Sequence, residues 1–148
     1  MNHARIGTCA LALCLALSPL AAAAADATGG NMRVVKAYAK AMPPGATTAV
    51  AYMTIENSGG PDRLVGASSP KALAVEMHTM ENNRGMMRMQ SVWNMDIPRG
   101  RTVFAAGGKH LMIIEPKPPL REGERFPMRL MFEKSGPVDV ELEVQPFK

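Results

Sequence analysis

Apolar and polar positions alternate along most of this chain, in short runs set off by turn residues. Val, Val and Tyr recur through 33–39, and an alternation rich in Thr, Val, Tyr and Ile runs through 47–56. Further runs cover 63–67, 72–80, 86–93, 102–105, 109–115, 125–133 and 138–144. Between them stand Pro43-Pro44-Gly45, Asn57-Ser58-Gly59-Gly60-Pro61-Asp62, Pro98-Arg99-Gly100, a Pro-rich stretch over 116–123 and Ser135-Gly136-Pro137, all turn chemistry. The segment 81–85, Glu-Asn-Asn-Arg-Gly, reads as a polar hairpin connection ending in Gly. No window keeps a helical period beyond two turns. About nine short strands at regular spacing predict an all-β sandwich or barrel. Residues 28–32 read as a loose N-terminus. Phe126, Met128, Leu130 and Phe132 alternate and predict one core face.

The first residues break this pattern. A short start carrying Arg5 leads into the apolar run 6–17, then Ser18-Pro19 and a string of small residues. Ala23-Ala24-Ala25 and Ala25-Asp26-Ala27 are both A-x-A cleavage sites. Residues 1–27 are therefore expected to be a secretory signal peptide, cut after Ala25 or Ala27, and 28–148 a single domain. The run is too short to cross a bilayer as a mature helix, so no transmembrane segment is expected in the mature chain. Losing Arg5 and Asp26 leaves the formal net charge at +4. Both cysteines, Cys9 and Cys14, fall in the leader. The mature chain thus has no disulfide, thiolate nucleophile, zinc-thiolate site, iron–sulfur cluster or His₂Cys copper centre. Leu13 is bulky where a lipidated cysteine wants a small neighbour, so Cys14 is not expected to carry a lipid.

Methionine is the opposite case. The chain has 13 methionines, and Met77, Met80, Met86, Met87, Met89 and Met95 crowd into one stretch. The two mature histidines, His78 and His110, are each followed two residues later by a methionine. Residues two apart on a strand share a face, so His78 pairs with Met80, Met87 with Met89, and His110 with Met112. If 78 faces 89 across the hairpin, 80 faces 87 and all four side chains point one way, with opposed Cβ atoms about 5 Å apart. Gly107-Gly108 lets the third pair swing over the first. Two imidazoles and a set of thioethers then surround one point. Thioethers are soft and uncharged and favour Cu(I) over Mg²⁺, Ca²⁺ or Mn²⁺. In an oxidising exported space, thiols would tend to pair off as disulfides; a Met/His site avoids that loss. Both imidazoles must be neutral to ligate, so affinity is expected to fall on acidification.

Most methionines in strands fill cores. Met53, Met95, Met128 and Met131 are expected to do so, and Met77, out of phase with His78, as well. Met42 belongs to a loop. Met80, Met86 and Met87 fit a soft surround, an exposed hairpin tip or a secondary site. Trp93, the single tryptophan, is expected as a core anchor. No enzyme is expected: there is no G-x-S-x-G and no H-E-x-x-H. Scattered basic residues and a mild net charge argue against nucleic acid.

His78, ten residues, Met89, then a spacer of 20 and His110-Leu111-Met112 resembles the H-x10-M-x21-H-x-M signature of the periplasmic copper(I) chaperone family often called PCuAC. The resemblance extends through 51–57, 62–67, 75–80, 87–89, Ile97-Pro98, Pro119-Leu120, Gly123 and 132–136, roughly residues 33–145. It implies a cupredoxin-like Greek-key β-sandwich binding one Cu(I). By position it implies His78, Met89, His110 and Met112 as ligands. It also implies delivery of copper to the CuA centre in subunit II of cytochrome c oxidase, directly or with Sco-type proteins; a monomer is expected. The spacer is one residue short of the signature. The sequence ends Val144-Gln145-Pro146-Phe147-Lys148 without a His/Met-rich tail, so the extra Cu(II) site of some relatives is not expected. A periplasmic copper-sequestering or resistance protein, or a metal-free secreted β-sandwich serving as an interaction module, are the other readings.

Overall fold

The computed structural model describes residues 26–148, so the leader expected at 1–27 lies outside the described residues except for its last two. The described chain is all β, with eleven strands: β1 (Ala27–Gly29), β2 (Met32–Lys40), β3 (Thr48–Asn57), β4 (Asp62–Ser68), β5 (Ala74–Asn83), β6 (Met86–Val92), β7 (Met95–Ile97), β8 (Gly100–Phe104), β9 (His110–Ile114), β10 (Arg125–Phe132) and β11 (Gly136–Gln145). All nine expected strands are present with ends moved by a few residues. The two extra strands, β1 and β7, have only three residues each, too few to show an alternation.

Neighbouring strands run in the order β1-β2-β11-β10-β4-β5-β9-β3-β8, with β6 added to β5 and β7 to β4. Strand β3 also pairs with β2. The sequence of pairings from β2 round to β3 therefore closes on itself. One pair, β11 with β2, is parallel, and the other strand pairs are antiparallel. Parallel neighbours need a long connection, which is the Greek-key element of the fold.

Alternation decides which side chains meet inside. Phe126, Met128, Leu130 and Phe132 of β10 are all buried, as the sequence predicts. Val138, Val140, Leu142 and Val144 answer them from β11. Each such side chain contributes about 1.5–3 kcal/mol on leaving water. Met53, Met77, Met95 and Met128 join this core as expected. Met131 does not: it is 40% exposed, because it sits between Leu130 and Phe132 and so faces outward. Trp93 is a second correction. It is 93% exposed, in the bend after β6 rather than in the core.

The N-terminal residues are not loose either. Ala27–Gly29 pairs with Met32–Val34, and Met32 is 2% exposed. A Cβ at Gly29 would lie 2.7 Å from Val138 Cγ2, so the approach of β1 to β11 requires glycine there. At the same end of the sheet, Asp62 locks β4 to the turn between β10 and β11. Its Oδ1 accepts the amides of Arg63 (2.7 Å) and Lys134 (2.9 Å), and its Oδ2 accepts that of Ser135 (2.9 Å). Burial pushes this carboxyl up, but the bonds from Lys134, Arg63 and Ser135 outweigh it and hold it below its ordinary range.

Candidate metal centre

The hairpin β5–β6 turns through Arg84-Gly85, with φ of 53° and 87°. Two consecutive positive φ values make the type I′ turn that suits the strand twist, and this turn favours glycine at its second position. The turn sets the register: Met80 pairs with Met89, Asn82 with Met87 and His78 with Ser91. The expected pairing of 78 with 89 is thus off by two residues. A pairing of 78 with 89 would centre the turn on Asn83-Arg84, where no glycine stands. A shift of two leaves every side chain on its expected face, whereas a shift of one would have reversed them all.

Strand β9 does not fold over the hairpin. It pairs with the other edge of β5, so the sheet runs β6-β5-β9 and His110 stands directly opposite His78. Leu111, Ile113 and Met77 are buried in the core, so His78, Met80, His110 and Met112 occupy the opposite face. Even there the two imidazoles are hidden, His78 at 8% and His110 at 7% exposure. Their ring centroids are 5.7 Å apart at an interplanar angle of 38°. The turn at 105–108, closed by the bond from the Gly108 amide to Ala105 O (3.0 Å), precedes His110. Nδ1 of His110 lies 2.9 Å from the Gly108 carbonyl oxygen, while Nε2 lies 3.3 Å from Met89 Sδ.

A carbonyl oxygen only accepts, so Nδ1 of His110 carries a proton, and in the neutral ring Nε2 carries the lone pair. A lone pair facing a thioether sulfur puts two soft donor atoms side by side, a pair that could bind a soft cation. His78 adds a third donor. Its Nδ1 is buried without any hydrogen-bond partner, a state that costs about 1–3 kcal/mol in a folded protein. The donors suit a soft ion: imidazole nitrogen and thioether favour copper over the hard divalent cations. Among the described residues no group of three or more His, Cys, Asp or Glu side chains could hold a metal.

Of the four residues predicted from sequence, the structure brings His78, Met89 and His110 together. Met112 shares their face one row along, opposite Glu76 on one side and Val50 on the other. Sequence reasoning missed Glu76, whose Oε2 lies 2.9 Å from His78 Nε2. The period of two already placed it on the face of His78. Met80 stands beside Met89 on the same face, and Met86 and Met87 are exposed at 61% and 53% near the hairpin tip.

Residues 32–144 match the family model described as "Putative lipoprotein LpqE-like". The chain belongs to the LpqE-like family. A curated relative, "Putative lipoprotein Lxx21020" of Leifsonia xyli subsp. xyli (strain CTCB07), is 30% identical over 137 residues, covering 90% of this chain and 81% of the relative. Among solved structures, a copper-bound PCuAC domain from PmoF2 is 26% identical with a TM-score of 0.71, covering 82% of this chain and 98% of that one. The apo solution structure of DR1885 from Deinococcus radiodurans is 30% identical with a TM-score of 0.61, covering 99% of this chain and 97% of that one. Its CuI form is 27% identical with a TM-score of 0.59, covering 84% and 81%. The LpqE-like chain thus has the cupredoxin-like fold of PCuAC domains. No helix among the described residues is long and apolar enough to cross a membrane.

Proposed function

We propose that this LpqE-like protein is an exported, non-enzymatic copper chaperone. It binds one Cu(I) through His78, Met89, His110 and Met112 and passes it to a copper enzyme, the CuA centre of cytochrome c oxidase. The observation that carries the reading is the contact of His110 Nε2 with Met89 Sδ at 3.3 Å, with the His78 ring 5.7 Å from that of His110 on the same sheet face and its Nδ1 unpartnered. The copper-bound relatives of the same fold support it. The leader pattern in 1–27 supports export to the periplasm.

The chemistry suits a carrier. Cu(I) is cargo here, held by neutral donors. Met89 is 51% exposed on an outer hairpin, so a partner's thiolate, imidazole or thioether can replace it while the buried imidazoles still hold the ion. Stepwise exchange of this kind needs no bare copper in solution. The test is an anaerobic Cu(I) titration against a chromophoric chelator, followed by transfer to an apo CuA domain. One equivalent bound by wild type, weakened in Met89→Ala and His110→Ala, and then found in the acceptor, is the expected result. Tight binding with no transfer would leave a sequestering protein; no binding would return the methionines to packing.

A further inference from the structure

Glu76 lies two residues before His78 on β5 and so shares its face, opposite Met112. Its side chain is 49% exposed, but one carboxylate oxygen reaches inward to His78 Nε2 at 2.9 Å. A carboxylate only accepts. The proton of the neutral His78 ring therefore sits on Nε2, and the lone pair sits on Nδ1, the atom that is buried and unpartnered. His110 has the reverse arrangement, Nδ1–H donated to Gly108 O and Nε2 turned to Met89. Two opposed histidines on neighbouring strands thus offer different nitrogens, each fixed by an oxygen acceptor on its far side.

We propose that Glu76 is a positioning residue for copper capture, selecting Nδ1 as the ligating nitrogen of His78 by holding the proton on Nε2. The inference rests on the copper-binding reading and adds to it the atom used and the residue that chooses it. An acceptor behind a ligating imidazole fixes its ring orientation and raises its basicity, and losing such a partner typically costs 10–100-fold in metal affinity. Glu76 is given the positioning role because its carboxylate oxygen is engaged by His78 Nε2 at 2.9 Å.

The tautomer can be read before any metal is added. In protein labelled with ¹⁵N-histidine, at a pH where both rings are neutral, two-bond ¹H–¹⁵N correlations report which nitrogen carries the proton. Wild type is expected to show His78 as the Nε2–H form, with the Nδ1 resonance moving on addition of one equivalent of Cu(I). Glu76→Ala is expected to give mixed tautomers and an affinity lower by about 10–100-fold. Glu76→Gln keeps an oxygen that accepts the same proton and should restore both. The inference is overturned if wild-type His78 is the Nδ1–H form, or if Glu76→Ala changes neither tautomer nor affinity while His110→Ala still abolishes binding. A wild type that takes up no Cu(I) sinks the chaperone reading and this copper role with it.

Discussion

Met77 and Met89 lie in one hairpin, on paired strands, and are used in opposite ways. Met77 is 6% exposed and packs with Leu111 and the rest of the core, while Met89 is 51% exposed with its sulfur turned to His110. The same contrast separates two regions of the molecule. The interior around β10 and β11 is an alternating apolar lining with its backbone paired. The outer face of β6-β5-β9 carries histidines buried away from the core, one of them with a nitrogen bonded to nothing. A thioether in the first region stabilises the fold by packing; in the second it leaves a soft donor where the fold gains little. Stability and metal binding should therefore be separable by side chain, even between residues on adjacent strands.

Exchanging the two methionines breaks the comparison most directly. Met77→Ala removes a core side chain, and such truncations cost about 2–5 kcal/mol. Chemical denaturation should show that loss, while the protein still folded should bind Cu(I) as wild type does. Met89→Ala should do the reverse. Its unfolding curve should stay within about 0.5 kcal/mol of wild type. Its Cu(I) affinity should fall by at least the roughly 10–100-fold that losing an outer partner costs. If both variants lost stability equally, the outer methionines would be packing after all.

The Asp62 junction sharpens the structural half. Asp62→Asn turns one acceptor into an N–H donor; set against the Ser135 amide, it leaves donors facing each other. A loss of about 1–3 kcal/mol is expected near neutral pH. The native carboxyl is held below its unfolded value, so folding favours the ionised form. That stabilisation is complete above the ordinary aspartate pKa of about 3.9 and is lost as pH falls through the lower native value. Urea midpoints measured from pH 6 down to pH 2 should fall in wild type, and the Asn variant should lack the part due to this group. Copper affinity at neutral pH should not change, because Asp62 is not on the β6-β5-β9 face.

Much of this could be read from residue order, for physical reasons. A period of two assigned the Phe126-to-Phe132 face and put Met77 inside and His78 outside. It could not count past a turn. The register of β5 against β6 depends on which two residues take positive φ, and Gly85 sets it two residues away from a pairing of 78 with 89. The three-residue strands β1 and β7 are too short to show a pattern. The spacing of His110 and Met112 predicted their common face, but not that β9 would lie beside β5 rather than over it. Glu76 shares the face of His78 by the same rule of two, yet only the bond to Nε2 distinguishes it from an ordinary solvated glutamate. Met131 follows the alternation of its own strand and faces outward between Leu130 and Phe132, whatever the usual role of methionine in strands.

The smallest effect expected is at Trp93. A lone tryptophan in a small β domain is normally a core anchor, and truncating a buried one costs about 3–5 kcal/mol. Here the ring is 93% exposed, in the bend that follows β6, so Trp93→Ala should shift the unfolding free energy by no more than about 0.5 kcal/mol. Wild-type fluorescence should already be that of an indole in water and should be quenched freely by iodide. A large loss of stability, or a shielded emission, would put the ring back against the core and remove the outer face from the comparison. With both results as expected, a change in the rate of copper transfer in Trp93→Ala would have to come from contact with the acceptor, because the carrier's own fold and ligands are untouched.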